Sequence, residues 1–95
     1  MEITFTSLAL VDLEAIHSYI AEDSQDRAQT FVERIRERCM LLATTPLMGA
    51  LRPEFGESVR SLPVRPVVVF YRVGSEVQIL RVIDGRRDLR TVFSE

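Results

Sequence analysis

The chain has 95 residues with 12 basic and 14 acidic side chains, a net charge of −2 and a pI near 5.4; this is the length of one domain, 1–95, and excludes a global field that would gather a polyanion. All 12 basic residues are arginine. One cysteine, Cys39, and one histidine, His17, exclude an intramolecular disulfide and the usual zinc ligand sets, so no cofactor and no metal are expected.

The opening MEITFTSLALVDLEAI lacks the positive start of a secretory signal, and no run reaches the ~18 apolar residues of a membrane helix. A cytoplasmic protein without a membrane partner is expected. Residues 2–6, EITFT, alternate apolar and polar side chains as a short half-buried strand does. Ser7 is then placed to cap a helix running from Leu8 to about Glu22, in which Ala9, Leu13, Ile16 and Ile20 recur at spacings of four, three and four. Asp23 and Ser24 break that pattern and cap a second helix, with Ala28, Phe31, Val32, Ile35, Cys39 and Leu42 on its buried stripe. It must end before Pro46, because proline disfavours helical geometry in the preceding residue. So short a connection predicts an antiparallel helical hairpin.

After the loop PLMGALRPEFGE the pattern turns to β: VRSLPV, then VVVFYRV, then VQILRVI. Gly74-Ser75 suits a two-residue type II′ connection, which would set Val73 opposite Glu76 and Phe70 opposite Ile79. Pro63 and Pro66 cannot donate to a ladder, so their strand is expected at an edge or bulged. The order β-α-α-β-β-β predicts an α+β, two-layer fold, a helical hairpin packed on a small, mostly antiparallel sheet. In this register Val67, Val69, Tyr71, Val73, Leu80 and Val82 share one face, and Val68, Phe70, Val77, Ile79 and Ile83 share the other with Arg72 and Arg81. Both faces are apolar, and one hairpin covers one face. Either the 46–56 loop and the C-terminal tail cover the second, or a partner chain does.

The residues that could carry chemistry are few. His17 has no local nucleophile beyond its neighbour Ser18, and Cys39 sits on an apolar stripe where an unreactive core thiol is the default. The helical carboxylates read as solvated faces, and Gly49, Gly56, Gly74 and Gly85 are isolated rather than gathered in a phosphate loop. The arginines stand out, above all in RVIDGRRDLR, residues 81–90. Guanidinium groups suit forked contacts with carboxylate or phosphate, and they also make ordinary turn pairs with an Asp84 or Asp88.

Four stretches in order, DLEAIHSYIAED, TPLMGALRPEFG, VVVFYRV and ILRVIDGRRD, resemble the ParE branch of the RelE/ParE toxins. The resemblance covers about Ala9 to Asp88 and implies the β-α-α-β-β-β fold. It further implies the toxin half of a type II toxin-antitoxin pair (plasmid stabilisation type), neutralised by a ParD-like antitoxin and directed at DNA gyrase. The RelE branch instead cuts messenger RNA on the ribosome. Its basic sheet positions fall here on Val59, Ser61 and Val68 and its terminal tyrosine on Phe93, so that Arg87 alone matches a catalytic arginine. This implies no catalytic residue, no direct sequence-specific nucleic-acid binding by the toxin alone, and a binding role for Arg72, Arg81, Arg86, Arg87, Tyr71 and Ile79 towards antitoxin or target. The alternatives are a RelE-type endoribonuclease using Arg60, Arg81 and Arg87, and an inactive antitoxin-binding member of the family.

Overall fold

The structure, a computed structural model, describes residues 1–86. Strand β1 (Ile3–Phe5) leads into helix α1 (Ser7–Ala21), and helix α2 (Gln25–Met40) returns beside it. Strands β2 (Ala50–Leu51), β3 (Val59–Val64), β4 (Val67–Val73) and β5 (Val77–Asp84) complete a five-stranded sheet of order β1-β5-β4-β3-β2. β1 runs parallel to β5 and the other pairs are antiparallel, so the expected two-layer α+β arrangement is present, with β2 added inside the loop.

The helix caps follow from side-chain chemistry. Ser24 caps α2, accepting from the amide of Arg27, as read from the sequence. At α1 the cap is Thr6 rather than Ser7: its Oγ1 accepts from the Ala9 amide at 3.1 Å and donates to the Leu80 carbonyl at 2.8 Å. One hydroxyl thus closes the helix end and ties it to β5. Ala9 and Leu13 of α1, Ala28, Ile35 and Cys39 of α2, and Leu42 of the following short 3-10 turn are buried, while Phe31 and Val32 are half-buried.

The β4–β5 hairpin departs from the expected two-residue turn. Val73 pairs with Val77 across a three-residue connection, and the register slips between Phe70 and Tyr71, so that Tyr71 faces Ile79 and Phe70 faces Arg81. Leu80 is the extra residue of a β-bulge. Val77 and Ile79 are therefore turned to the helical side, where they pack with Leu62, Val67, Val69, Tyr71 and Val82, while Leu80 is turned to the other side. The second face carries Val59, Phe70 and Ile83, covered in part by the loop: Phe55 meets Phe70 edge to face, with ring centroids 5.4 Å apart. The C-terminal tail lies outside the described residues.

β2 covers only the Arg60–Ser61 part of the outer side of β3, and the rest is closed without another strand. The Arg52 amide donates to the Val59 carbonyl at 2.7 Å, so alternate residues from Val59 point their backbone groups away from β4. Pro63 stands at such a position beyond the end of β2, where its missing N–H breaks no ladder bond and offers nothing to an incoming strand. Pro66 lies in the turn between β3 and β4. The loop before β2 is pinned from inside: the Gly49 amide donates to the Tyr71 hydroxyl, which donates to the Pro46 carbonyl, both at 2.8 Å. Arg60 Nη1 adds 2.7 Å to the Gly49 carbonyl and 3.3 Å to that of Leu47.

Two tests follow from this packing. A methyl group at Gly49 would lie 2.6 Å from the Ser61 carbonyl and 2.7 Å from the Tyr71 hydroxyl, so Gly49→Ala must displace a fixed loop. The expected loss is about 1–3 kcal/mol in urea denaturation, and an unchanged midpoint would show the loop to be free to move. Burial pushes the Cys39 thiol up from 9.0 to about 12, with Arg36 pulling weakly the other way. Because this acid is weaker in the folded state, its share of stability is whole below about pH 9 and is lost as pH rises towards 12; burial raises Tyr71 from 10.0 and acts in the same direction. Cys39→Ala should therefore flatten the alkaline fall in stability, and a thiol reagent at neutral pH should label the native protein only as fast as it opens.

Candidate functional site

The site is organised by one carboxylate. α1 lies over β5 and β1, and Asp12, on the helix's second turn, faces the bulge. Asp12 accepts from Arg81 Nε at 2.8 Å and Nη2 at 3.0 Å, and from the Val82 backbone amide at 2.9 Å. Both side chains are largely withdrawn from water, so the forked pair is shielded from screening. The bulge turns Arg81 and the Val82 amide together towards the helix, and Asp12 satisfies both. Leu80, the bulged residue, gives its carbonyl to Thr6.

Beyond this clamp an open groove of about 520 Å³ runs between the hairpin and the ends of β4 and β5. Its floor is apolar, formed by Ile16, Ile20, Phe31, Val67, Val82 and Ile83, with Pro66 and Tyr19 at its sides. Asp12 marks one rim and the ion pair of Asp84 with Arg86 the other; hydrogen bonding to Asp84 raises the already high pKa of Arg86, keeping it charged. Tyr19 is 76% exposed. A second hollow of about 940 Å³ continues from Tyr19, Ile20, Phe31 and Pro66 towards the hairpin turn, lined by the acids Glu22, Asp23 and Asp26 and the arginines Arg27 and Arg34. An apolar floor between charged rims fits an amphipathic segment of another chain better than a small reactant. Among the described residues no three His, Cys, Asp or Glu side chains gather in a way that could hold a metal ion.

The six residues assigned to binding from the sequence do not form one site. Arg86 stands on the groove rim. Arg81 lies behind it, its guanidinium spent on Asp12. Arg72 is exposed elsewhere, its Nε donating to the Glu57 carbonyl at 3.0 Å. Tyr71 and Ile79 are 0% exposed and cannot touch a partner in this structure: the bulge turns Ile79 into the helical layer, and the Tyr71 hydroxyl is taken by the 46–49 loop. Arg87 lies outside the described residues. The groove residues that sequence reading missed as site candidates are Ile16, Tyr19, Ile20, Phe31 and Pro66. The available signal was Tyr19, a large aromatic next to the buried stripe of α1.

Known proteins share this architecture. The family model described as the ParE toxin of the type II toxin-antitoxin system parDE matches residues 3–89. Toxin ParE3 of Caulobacter vibrioides is 31% identical over 80 residues, covering 82% of this chain and 80% of that one. The Y4kP protein of Sinorhizobium fredii is 36% identical over 87 residues, covering 90% and 88%. A chain from the solved chromosomal ParDE TA system of P. aeruginosa superposes with a TM-score of 0.75 at 34% identity, covering 88% of this chain and 95% of that one. The fold and these matches define a type II toxin-antitoxin toxin, and the chain belongs to the ParE toxin family.

The clamp itself is testable. Asp12→Ala leaves the Arg81 guanidinium and the Val82 amide without their acceptor and should cost roughly 2–4 kcal/mol in urea denaturation. Asp12→Asn, which keeps one acceptor for the amide, should cost less. Equal midpoints for wild type and the alanine variant would show that α1 is held by packing alone.

Proposed function

We propose that this ParE-family toxin acts by binding rather than by catalysis, that its target is DNA gyrase, and that a ParD-like antitoxin neutralises it by laying an amphipathic segment along the groove. The groove carries this reading: an open apolar trough beside a clamp that fixes its walls, with charged groups at its rims. The similar Pseudomonas chain comes from a ParDE system, which supports the choice of partner. Gyrase as the target follows from the family, and a cytoplasmic location goes with it. No helix among the described residues is long and apolar enough to cross a membrane.

The nuclease reading finds less support. Val59 and Ser61 are buried, Arg60 is committed to the loop carbonyls and Arg81 to Asp12. Guanidinium groups so engaged are poorly placed to stabilise charge on a scissile phosphate. Tyr19→Glu, at an exposed position, should weaken titration with the antitoxin tail by about tenfold or more, on the scale of losing one well-seated aromatic anchor. Wild-type toxin should inhibit gyrase supercoiling, and antitoxin should restore it. Codon-position cleavage of messenger RNA on ribosomes by purified toxin would overturn the binding mechanism, and unchanged affinity of the Tyr19 variant would move the antitoxin off the groove.

A further inference from the structure

The two edges of the sheet differ in how they meet an incoming strand. On the far side β2 spans two residues, Pro63 of β3 withholds a donor, and the charged pair Arg52–Glu54 follows at once. Apart from its shortness the β1 side has no such guard: residues 3–6, ITFT, contain no charge and no proline, and no bulge interrupts the pairing with β5. Val77 donates to the Glu2 carbonyl at 2.8 Å and Thr6 to that of Ile79 at 3.0 Å, so the even-numbered residues turn their peptide groups to β5. Ile3 and Phe5 turn theirs outward, and no described group pairs with them.

The side chains of Ile3 and Phe5 pack against the helical layer and are only half-buried. Arg36 lies over the Phe5 ring and the Met1 ammonium donates to the Ala43 carbonyl at 2.9 Å, which sets this side of α2 along the strand. Met40 falls between Arg36 and Ala43 and is 56% exposed. An apolar flank thus borders a row of outward donors and acceptors.

We infer that antitoxin-free copies of the chain pair through β1, antiparallel and around a two-fold axis at Thr4, joining two five-stranded sheets into one. The occupant of the edge is a second copy because the pattern is its own complement. With Thr4 opposite Thr4 of the second copy, Ile3 meets Phe5 on both sides of the axis, and each of these pairs exchanges both N–H···O bonds. A slip of one residue would set outward groups against groups already spent on β5. The side chains agree with this register: Ile3 and Phe5 of facing chains close each other's open flank, the threonines meet at the axis, and Glu2 falls opposite Thr6 rather than another acid. Glu76, which accepts from Thr4 Oγ1 at 3.1 Å, lies one strand further in, so its two copies stand three strand spacings, about 14 Å, apart. Arg36, on the Phe5 ring of its own copy, is offset along the strand from its counterpart. None of residues 2–6 lines the groove, so the inference stands apart from the antitoxin reading.

The test is sedimentation of the antitoxin-free chain over a wide concentration range, joined to cysteine cross-linking. Wild type should reach the mass of two chains and stop there, as a closed two-fold does. Ile3→Pro removes an outward donor and no β1–β5 bond, and should stay at single-chain mass. Thr4→Cys, at the axis where facing Cα atoms lie about 4.5 Å apart, should form a disulfide-linked pair under an added oxidant, whereas Glu2→Cys, about 13 Å along the strands from its counterpart, should not. The native Cys39 is buried and does not compete. Should Ile3→Pro fail to fold, Thr4→Glu and Thr4→Lys replace it: each alone should stay single, and their equimolar mixture should pair. Sedimentation needs no antitoxin, so failure of the antitoxin reading leaves this result unaffected. A wild type that stays single at every concentration, growth past two chains, linkage of Glu2→Cys as readily as of Thr4→Cys, or a folded Ile3→Pro that loses the antitoxin tail would each overturn the inference.

Discussion

The carboxylate of Asp12 is the constraint on which the rest of the structure depends. It lies on α1 and is satisfied by Arg81 and the Val82 amide, groups 69 and 70 positions further along the chain. Those groups face it only because β5 carries one extra residue. Without that bulge Ile79 would turn away from the helices, and the helical layer would lose one of its largest buried side chains. The bulge therefore serves two ends at once: it places Ile79 inside and frees two donors for α1. The near wall of the groove follows, since Ile16, Tyr19 and Ile20 lie on the same helix, one to two turns beyond the clamp.

An arginine-only cation set takes on meaning in this setting. On the strands the guanidinium groups are spent chiefly on the protein itself, with Arg60 on loop carbonyls, Arg72 on the Glu57 carbonyl and Arg81 on Asp12. Each reaches more than one acceptor or spans a gap between elements, which a forked planar cation does better than an ammonium. Arginines on the helices and rims serve differently: Arg36 lies over the Phe5 ring and Arg34 over Phe31, covering aromatic faces that the short strand and the groove leave open.

The helices were legible in the sequence because their determinants are local. The buried positions Ala9, Leu13, Ala28, Ile35 and Cys39 recur at helical spacing, and Ser24 announces its cap by type and place. The strands were legible as strands, and their order as a fold. Register was not, because the connection at Gly74 accommodates two or three residues equally well and the deciding group, Asp12, belongs to another element. The cap of α1 falls one residue earlier than expected for a similar reason: Thr6 is preferred over Ser7 because its hydroxyl also reaches Leu80. Candidate site residues fared worst. Tyr71 and Ile79 look like exposed β-face residues until the bulge and the 46–49 loop are known, whereas Ile20 and Phe31 look like core until the groove is seen to open over them.

Among the described strands the first has no neighbour but β5, with Ile3 opposite Val77 and Phe5 opposite Ile79. The N-terminus thus waits for the last described strand before its backbone finds a ladder, and α1 waits for the same strand before Asp12 finds its donors. Such pairing between distant parts of a chain forms late. During synthesis, a ribosome-bound chain lacking β5 has neither a seated α1 nor the Val82 and Ile83 part of the groove floor, so the groove takes shape only once β5 has been made. In a toxin of a toxin-antitoxin pair, the groove proposed above for the antitoxin therefore opens only after β5 has left the ribosome.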